Sequence, residues 1–161
     1  MGIYLHTDVE TTDDGDFIID DLGDLKVASP MRTVAQAINN IILTNKGELL
    51  TDTSFGANLQ QFYGDRNTEY TRHMMERNIL SEVSNQGLID RSDFSVDVVA
   101  VDISEAGIIA TINGVFIDTS TGNLGGVIKV DNGIDMGYLY PFISGVITPV
   151  DPVDALNPSN F

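Results

Sequence analysis

The sequence predicts an α+β fold built as one compact domain, and three observations support that class. Segments 30–46 and 68–86 carry apolar residues at helical spacing, whereas residues 94–112 alternate apolar and polar side chains as strands do. Both helical segments precede the longer strand pair, an order typical of α+β rather than βαβ architecture. A chain of 161 residues with 42% hydrophobic content is long enough to bury one core.

A short N-terminal hairpin is predicted after a polar lead-in at residues 1–15. Residues 17–19 and 25–27 are strand-like, and the turn-rich stretch 20–24 between them lets the chain fold back. Acidic residues are concentrated in this part of the chain, because no Lys or Arg occurs before Lys26. Such a run is typical of a solvated surface or of one that meets a basic neighbour.

The first main helix is predicted to begin at Pro30. Ser29 offers an N-cap oxygen, and a proline at the first helical position loses no hydrogen bond. Val34 and Ile38 then begin an apolar stripe that faces a core. Gly47 is expected to end this helix, because glycine readily takes the left-handed conformation of a helix C-terminus.

A second main helix is predicted from about residue 68 to residue 86, with Gly87 as its end. Between the two helices, the stretch 48–56 looks irregular, and a short helical turn within 57–63 should bury Leu59 and Phe62. The apolar face of the second helix is expected to carry Tyr70, Met74, Ile79 and Val83.

Antiparallel strands are predicted at 94–101 and 108–112, with further strand-like segments at 115–117 and 127–130. Beyond Asp118 the chain becomes rich in Gly and Pro, yet it keeps aromatic residues that disordered segments usually lack. Such a segment fits an arm on a neighbouring chain or a tail on its own domain.

We expect a domain at 16–118 and an extended C-terminal arm at 119–161. Large rings on such an arm can anchor it to a partner protein. The predicted anchors are Tyr138, Tyr140, Phe142 and Phe161.

Composition excludes several classes of partner. Twenty-four acidic residues against eight basic ones give a net charge of −16, which repels phosphate backbones and anionic lipid headgroups. We therefore expect neither nucleic acid nor membrane as a partner. The chain has no cysteine, and its N-terminus lacks the basic start and apolar run of a signal peptide.

No catalytic residue, cofactor or metal site is expected. Glu48 beside two leucines is the best candidate for a glycosidase acid, with Asp52 as the second carboxylate, but a structural role for Glu48 is favoured. His6 and His73 lie far apart, and segment 13–16 lacks the ligand spacing of a calcium loop. Residues 122–126 lack the ending of a phosphate loop.

One stretch resembles a known family. The helix leads into Thr44-Asn45-Lys46-Gly47-Glu48, and Phe55-Gly56 is followed by Leu59, an arrangement similar to the small baseplate wedge proteins of contractile-tailed phages. Relatives of that family occur in type VI secretion and other contractile injection systems, and the family has been labelled lysozyme-like. Element order extends the resemblance, less specifically, over about residues 17–112.

The resemblance implies a structural subunit of a tail baseplate, made in the host cytoplasm and built into the virion. Its expected partners are larger wedge subunits and sheath or tube-proximal tail proteins, bound in a hetero-oligomer through an added β-strand that helps to start sheath assembly. The partner-binding residues expected in the resembling stretch are Gly47, Glu48, Phe55, Gly56 and Leu59.

Two departures and two alternatives accompany this interpretation. Many members of the family carry a Glu-Pro-Arg triplet after the second helix, where this chain reads Gly87-Leu88-Ile89-Asp90-Arg91, and the segment after Asp118 lies outside the shared core. The first alternative function is a tail-associated peptidoglycan hydrolase. The second is an acidic binding module with no role in a virion.

Overall fold

The computed structural model describes residues 3–4, 8–12, 15–118, 129–131, 133–143 and 145–155. Two main helices pack on one face of a four-stranded antiparallel sheet, and two smaller sheets lie beside this unit. The predicted α+β class is confirmed.

Helix α1 spans Pro30–Leu43, and its predicted beginning is confirmed. The Ser29 hydroxyl accepts a hydrogen bond from the Arg32 amide at 3.2 Å. The helix ends at Leu43, before the predicted Gly47. The following chain folds back onto the last turn, where the Ala57 amide donates to the Ile41 carbonyl at 2.9 Å, so the helix end requires no glycine.

Helix α2 spans Glu69–Gln86, with Thr68 as N-cap and a left-handed Gly87 as C-cap. A short 3₁₀ turn, Leu59–Phe62, buries both of its end residues as expected. The predicted place of Tyr70 on the apolar face is wrong, because this side chain is 72% exposed. The buried face of α2 consists of Thr71, Met75, Ile79, Glu82 and Val83.

The main sheet contains β4 (Phe94–Ala100), β5 (Glu105–Ile112), β8 (Ile134–Pro141) and β9 (Thr148–Val150). Its order is β4-β5-β8-β9, and every neighbouring pair is antiparallel. Strand β8 pairs with β5 over eight residues, from Glu105 opposite Pro141 to Ile112 opposite Ile134.

That pairing corrects the predicted arm. Residues 134–150 include two strands of the main sheet, so the domain does not end at residue 118. The other of the two predicted placements, a tail on its own domain, is the one seen for these residues. Sequence composition could not distinguish them, because a β-strand partner far along the chain leaves no local signal.

On the opposite face of the sheet, a short helix, α3 (Pro152–Ala155), packs against β5 and β8. It lies against two glycines, since a Cβ atom on Gly107 would meet the Ala155 carbonyl and one on Gly137 would meet the Pro152 backbone. The backbone of α3 can approach the sheet this closely only because both positions lack a side chain.

The smaller sheets contain strands from the N-terminal part of the chain and from the segment between β5 and β8. Strand β1 (Ile3–Tyr4) runs parallel to β6 (Val115–Asp118), which pairs with β7 (Lys129–Asp131). Strand β2 (Asp8–Val9) pairs with β3 (Val27–Ala28). The predicted lead-in at 1–15 therefore supplies strands to these sheets.

Candidate functional site

The loop between α1 and the 3₁₀ turn contains the residues that carry the family resemblance. Gly47 and Glu48 are exposed, Phe55 is half-buried against the core, and Gly56 and Leu59 are buried. The loop thus combines residues that form the surface with residues that hold its backbone in place.

The exposed part of the loop is closed by its own polar groups. The Glu48 carboxylate accepts hydrogen bonds from the Asn45 side-chain amide at 2.8 Å and the Asn45 backbone amide at 3.1 Å. The Asn45 side-chain oxygen in turn accepts from the Gln60 amide at 3.1 Å. Gly47, at a φ of +90°, donates its amide to the Thr53 carbonyl at 2.8 Å. These bonds define a compact turn rather than an open loop.

Gly56 is required by both its conformation and its surroundings. Its φ is +114°, a region that other residues rarely adopt, and a Cβ atom there would collide with the Thr44 carbonyl. Its amide donates to the buried carboxylate of Glu82 at 3.2 Å. The end of the loop is therefore fastened to both main helices.

Glu82 is a structural support of the loop that the sequence did not predict. Its carboxylate also accepts a hydrogen bond from the Gln86 side-chain amide at 3.1 Å. A buried carboxylate needs such donors, because burying an unpaired charged group costs more than the roughly 2 to 7 kcal/mol of an unpaired neutral polar group. A sequence signal existed, since Glu82 lies three residues after Ile79 on the buried face of α2.

The aromatic residues of β8 and its end are part of the core. Tyr138, Tyr140 and Phe142 are each at most 2% exposed, so the prediction that they contact a neighbouring chain is wrong. In an antiparallel sheet packed on helices, alternate side chains of a central strand point into the core, and Tyr138 and Tyr140 occupy such positions. Phe161, the remaining predicted anchor, lies outside the described residues.

These aromatic residues support the loop from the side of the core. The Tyr140 hydroxyl donates to the Leu59 carbonyl at 2.7 Å. The Tyr140 ring lies between Tyr63, at a centroid distance of 5.4 Å, and Phe142, at 4.9 Å. The predicted partner-binding residues of the loop and those of the C-terminal segment are thus in contact, through Leu59 and Tyr140.

Tyr63 links the loop to the connection between β8 and β9. Its hydroxyl donates to the Gly145 carbonyl at 2.8 Å, and the neighbouring Gly64 amide donates to the Phe142 carbonyl. Burial, and secondarily the charge of Glu48, raise the pKa of the Tyr63 hydroxyl. The groove at this junction is lined by Leu43, Asn45, Glu48, Gln60, Tyr63, Gly145, Val146 and Ile147.

Apolar side chains project from this region into solvent. Leu50 is 90% exposed on the loop and Leu49 is also exposed, while Val146 is exposed beside the groove. We call the following residues the loop surface: Asn45, Glu48, Leu49, Leu50, Tyr63 and Val146. A fixed backbone that presents exposed leucines can bind a partner without a large ordering cost.

The arrangement is unfavourable for hydrolysis by the predicted carboxylate pair. Glu48 is exposed and already accepts two hydrogen bonds, whereas a glycosidase acid needs an apolar setting that raises its pKa. Hydrogen bonds from the hydroxyl and amide of Ser54 lower the pKa of Asp52. The environment of Asp52 therefore favours its ionised form, and the carboxylate of Glu48 is occupied by the Asn45 donors.

Within the described part of the chain, no three His, Cys, Asp or Glu side chains are grouped as a metal site would require. Among the same residues, none of the helices has the length and apolar character needed to span a bilayer.

The chain matches no protein-family model, no curated protein and no solved structure.

Proposed function

We propose that this protein is a non-enzymatic structural subunit of a contractile-tail baseplate that binds larger wedge subunits and helps to start sheath assembly. The observation that carries the proposal is the loop surface, where a hydrogen-bonded loop presents exposed leucines at the position of the family resemblance. The virion location and the identity of the partners belong to the same proposal.

The resembling residues divide into two roles under this proposal. Gly47, Gly56 and Leu59 support the loop, through positive φ angles at the glycines and a buried side chain at Leu59. Phe55 packs against the core from the loop. The partner contacts are made by exposed neighbouring residues, mainly Leu50 and the exposed side of the Glu48 side chain.

The sheet offers a place for the proposed strand addition. Strand β4 lies at one edge of the main sheet and has seven residues, against three in β9 at the other edge. An edge strand can accept the backbone of another chain. The Val98 amide at this edge donates to the Glu76 carboxylate at 2.9 Å, so an added strand would have to replace that bond.

The experiment is a pull-down of co-expressed wedge subunits by the full chain and by matched surface variants. Leu50→Ser and Glu48→Ala should bind the wedge subunits at least about tenfold more weakly, with the melting temperature changed by only a few degrees. Ile103→Ser is the matched control, since Ile103 is 94% exposed and lies in the turn between β4 and β5, outside the loop surface.

Two results would contradict the proposal. Binding by Leu50→Ser and Glu48→Ala at the wild-type level would remove the loop surface as the partner site. Clearing of peptidoglycan by the wild-type chain, lost in Glu48→Gln, would instead identify the protein as a hydrolase.

A further inference from the structure

The N-terminal hairpin exposes an apolar face. Ile19 lies directly opposite Leu25 in an antiparallel bridge, and Phe17 and Val27 are each two residues away from that pair. Side chains two residues apart on a strand share one face. The exposed fractions are 66% for Phe17, 58% for Ile19, 46% for Leu25 and 54% for Val27. We call these four residues the hairpin face.

The hairpin pairs with the strand that precedes it, and that strand contacts α1. Glu10 pairs with Lys26 at 3.1 Å and with Arg32 of α1 at 3.7 Å. The Gln36 side chain accepts from the Thr11 amide at 2.8 Å and donates to the Val9 carbonyl at 3.2 Å. The hairpin is therefore connected to α1 through residues 9–11, which bond to Arg32 and Gln36 of the helix.

The surroundings of the hairpin face are acidic. Asp16, Asp21 and Asp24 are exposed along the hairpin and at its tip. Asp20 shapes the tip, since its carboxylate accepts from the Leu22 and Asp24 amides at 2.9 and 3.0 Å. Lys26, the single basic residue within 16–27, is paired with Glu10. A partner segment must therefore place apolar side chains on the hairpin face and basic side chains near the surrounding aspartates, which we call the acidic rim.

We propose that the hairpin face binds a basic amphipathic segment of another protein. Apolar side chains of the partner would cover Phe17, Ile19 and Leu25, and its Lys or Arg residues would reach the acidic rim. Charge complementarity supports this occupant, because like-charged surfaces repel at close range. A second copy of this chain, with a net charge of −16, and an anionic membrane are both disfavoured by that repulsion.

The hairpin face is separate from the loop surface. The strand next to the hairpin bonds Arg32 and Gln36 in the first half of α1, whereas the loop surface follows the end of this helix, which is about 21 Å long. The binding proposed here does not depend on the baseplate proposal, so either can fail alone.

The test uses a synthetic peptide in which leucine and lysine residues alternate. Binding of this peptide to the full chain is measured by NMR titration. Ile19→Ser combined with Leu25→Ser should weaken binding at least about tenfold. Asp21→Lys combined with Asp24→Lys should weaken it similarly, and binding should fall as salt rises from about 50 to about 300 mM. Ile103→Ser, the matched control at an exposed apolar residue outside both surfaces, should bind like the wild type.

Several outcomes would overturn the proposal. Equal binding by all variants, or equal binding of a matched leucine and glutamate peptide, would show that the face and its rim do not select a basic segment. Sedimentation showing a dimer that the Ile19→Ser, Leu25→Ser variant loses would assign the face to a second copy. Hairpin-dependent binding to vesicles of anionic or neutral lipid would assign it to a membrane.

Discussion

Strand β8 and the N-terminal hairpin present their large apolar residues in opposite ways. Tyr138 and Tyr140 lie on a strand paired on both sides, and both are buried. Ile19 and Leu25 lie on a hairpin that pairs with the preceding strand, and both are exposed. The strand holds the fold together, whereas the hairpin face is available to a partner. Composition suggests the reverse, because Gly and Pro surround the buried rings.

The largest effect should come from removing β8. Truncation after Val130 deletes the strand between β5 and β9 together with the aromatic core residues, so no cooperative fold should remain. Circular dichroism during heating should show no unfolding transition. A truncated chain that still melts cooperatively would mean that the helices and β4-β5 are stable without this strand.

Point substitutions at Tyr140 should separate packing from hydrogen bonding. Tyr140→Ala should lower the free energy of unfolding by about 3 to 5 kcal/mol, because it leaves a cavity in the core. Tyr140→Phe should cost about 1 to 3 kcal/mol, because the buried Leu59 carbonyl loses its donor. Urea denaturation measures both values. Equal losses in the two variants would argue against the packing contribution.

Alkaline pH should lower the stability of the folded chain through the Tyr140 hydroxyl. Burial, followed by the charges of Tyr63 and Asp65, raises the pKa of Tyr140 above its ordinary value of 10.0. Above about pH 10 the unfolded chain loses this proton while the folded chain keeps it, so stability falls as pH rises. The melting temperature of Tyr140→Phe should fall less than that of the wild type from about pH 9 to about pH 11.

The smallest effect on stability should come from the hairpin face. Ile19→Ser removes a side chain that is more than half exposed, so the free energy of unfolding should change by no more than about 0.5 to 1 kcal/mol. A loss as large as that of Tyr140→Ala would show that the hairpin face supports the fold. The comparison between the two regions would then fail.

The predictions that succeeded rest on local chemistry. Ser29 before Pro30 marks a helix beginning, and Thr68 and Gly87 mark the limits of α2, because a capping oxygen and a left-handed glycine act within a few residues. The alternation in 94–112 likewise predicts two strands from neighbouring side chains.

The misplaced features depend on contacts between distant residues. Gly47 did not end α1, because the backbone of 57–58 returns to bind the last carbonyls of that helix. The role of Glu82 depends on an amide 26 positions away in the sequence. The place of β8 depends on β5, which is separated from it by two other strands. Of the candidate site, the sequence predicted the loop but not its support by Tyr140.

The position of β8 also affects how the chain can fold during synthesis. By the time β5 has left the ribosome, its neighbour β4 is complete, but its second partner begins only at Ile134. During that interval the edge of β5 that will pair with β8 has unpaired backbone groups, and β-strands of other nascent chains can compete for them. Aggregation of partly made chains is therefore a specific hazard for this topology, and slower translation through 113–133 would prolong it.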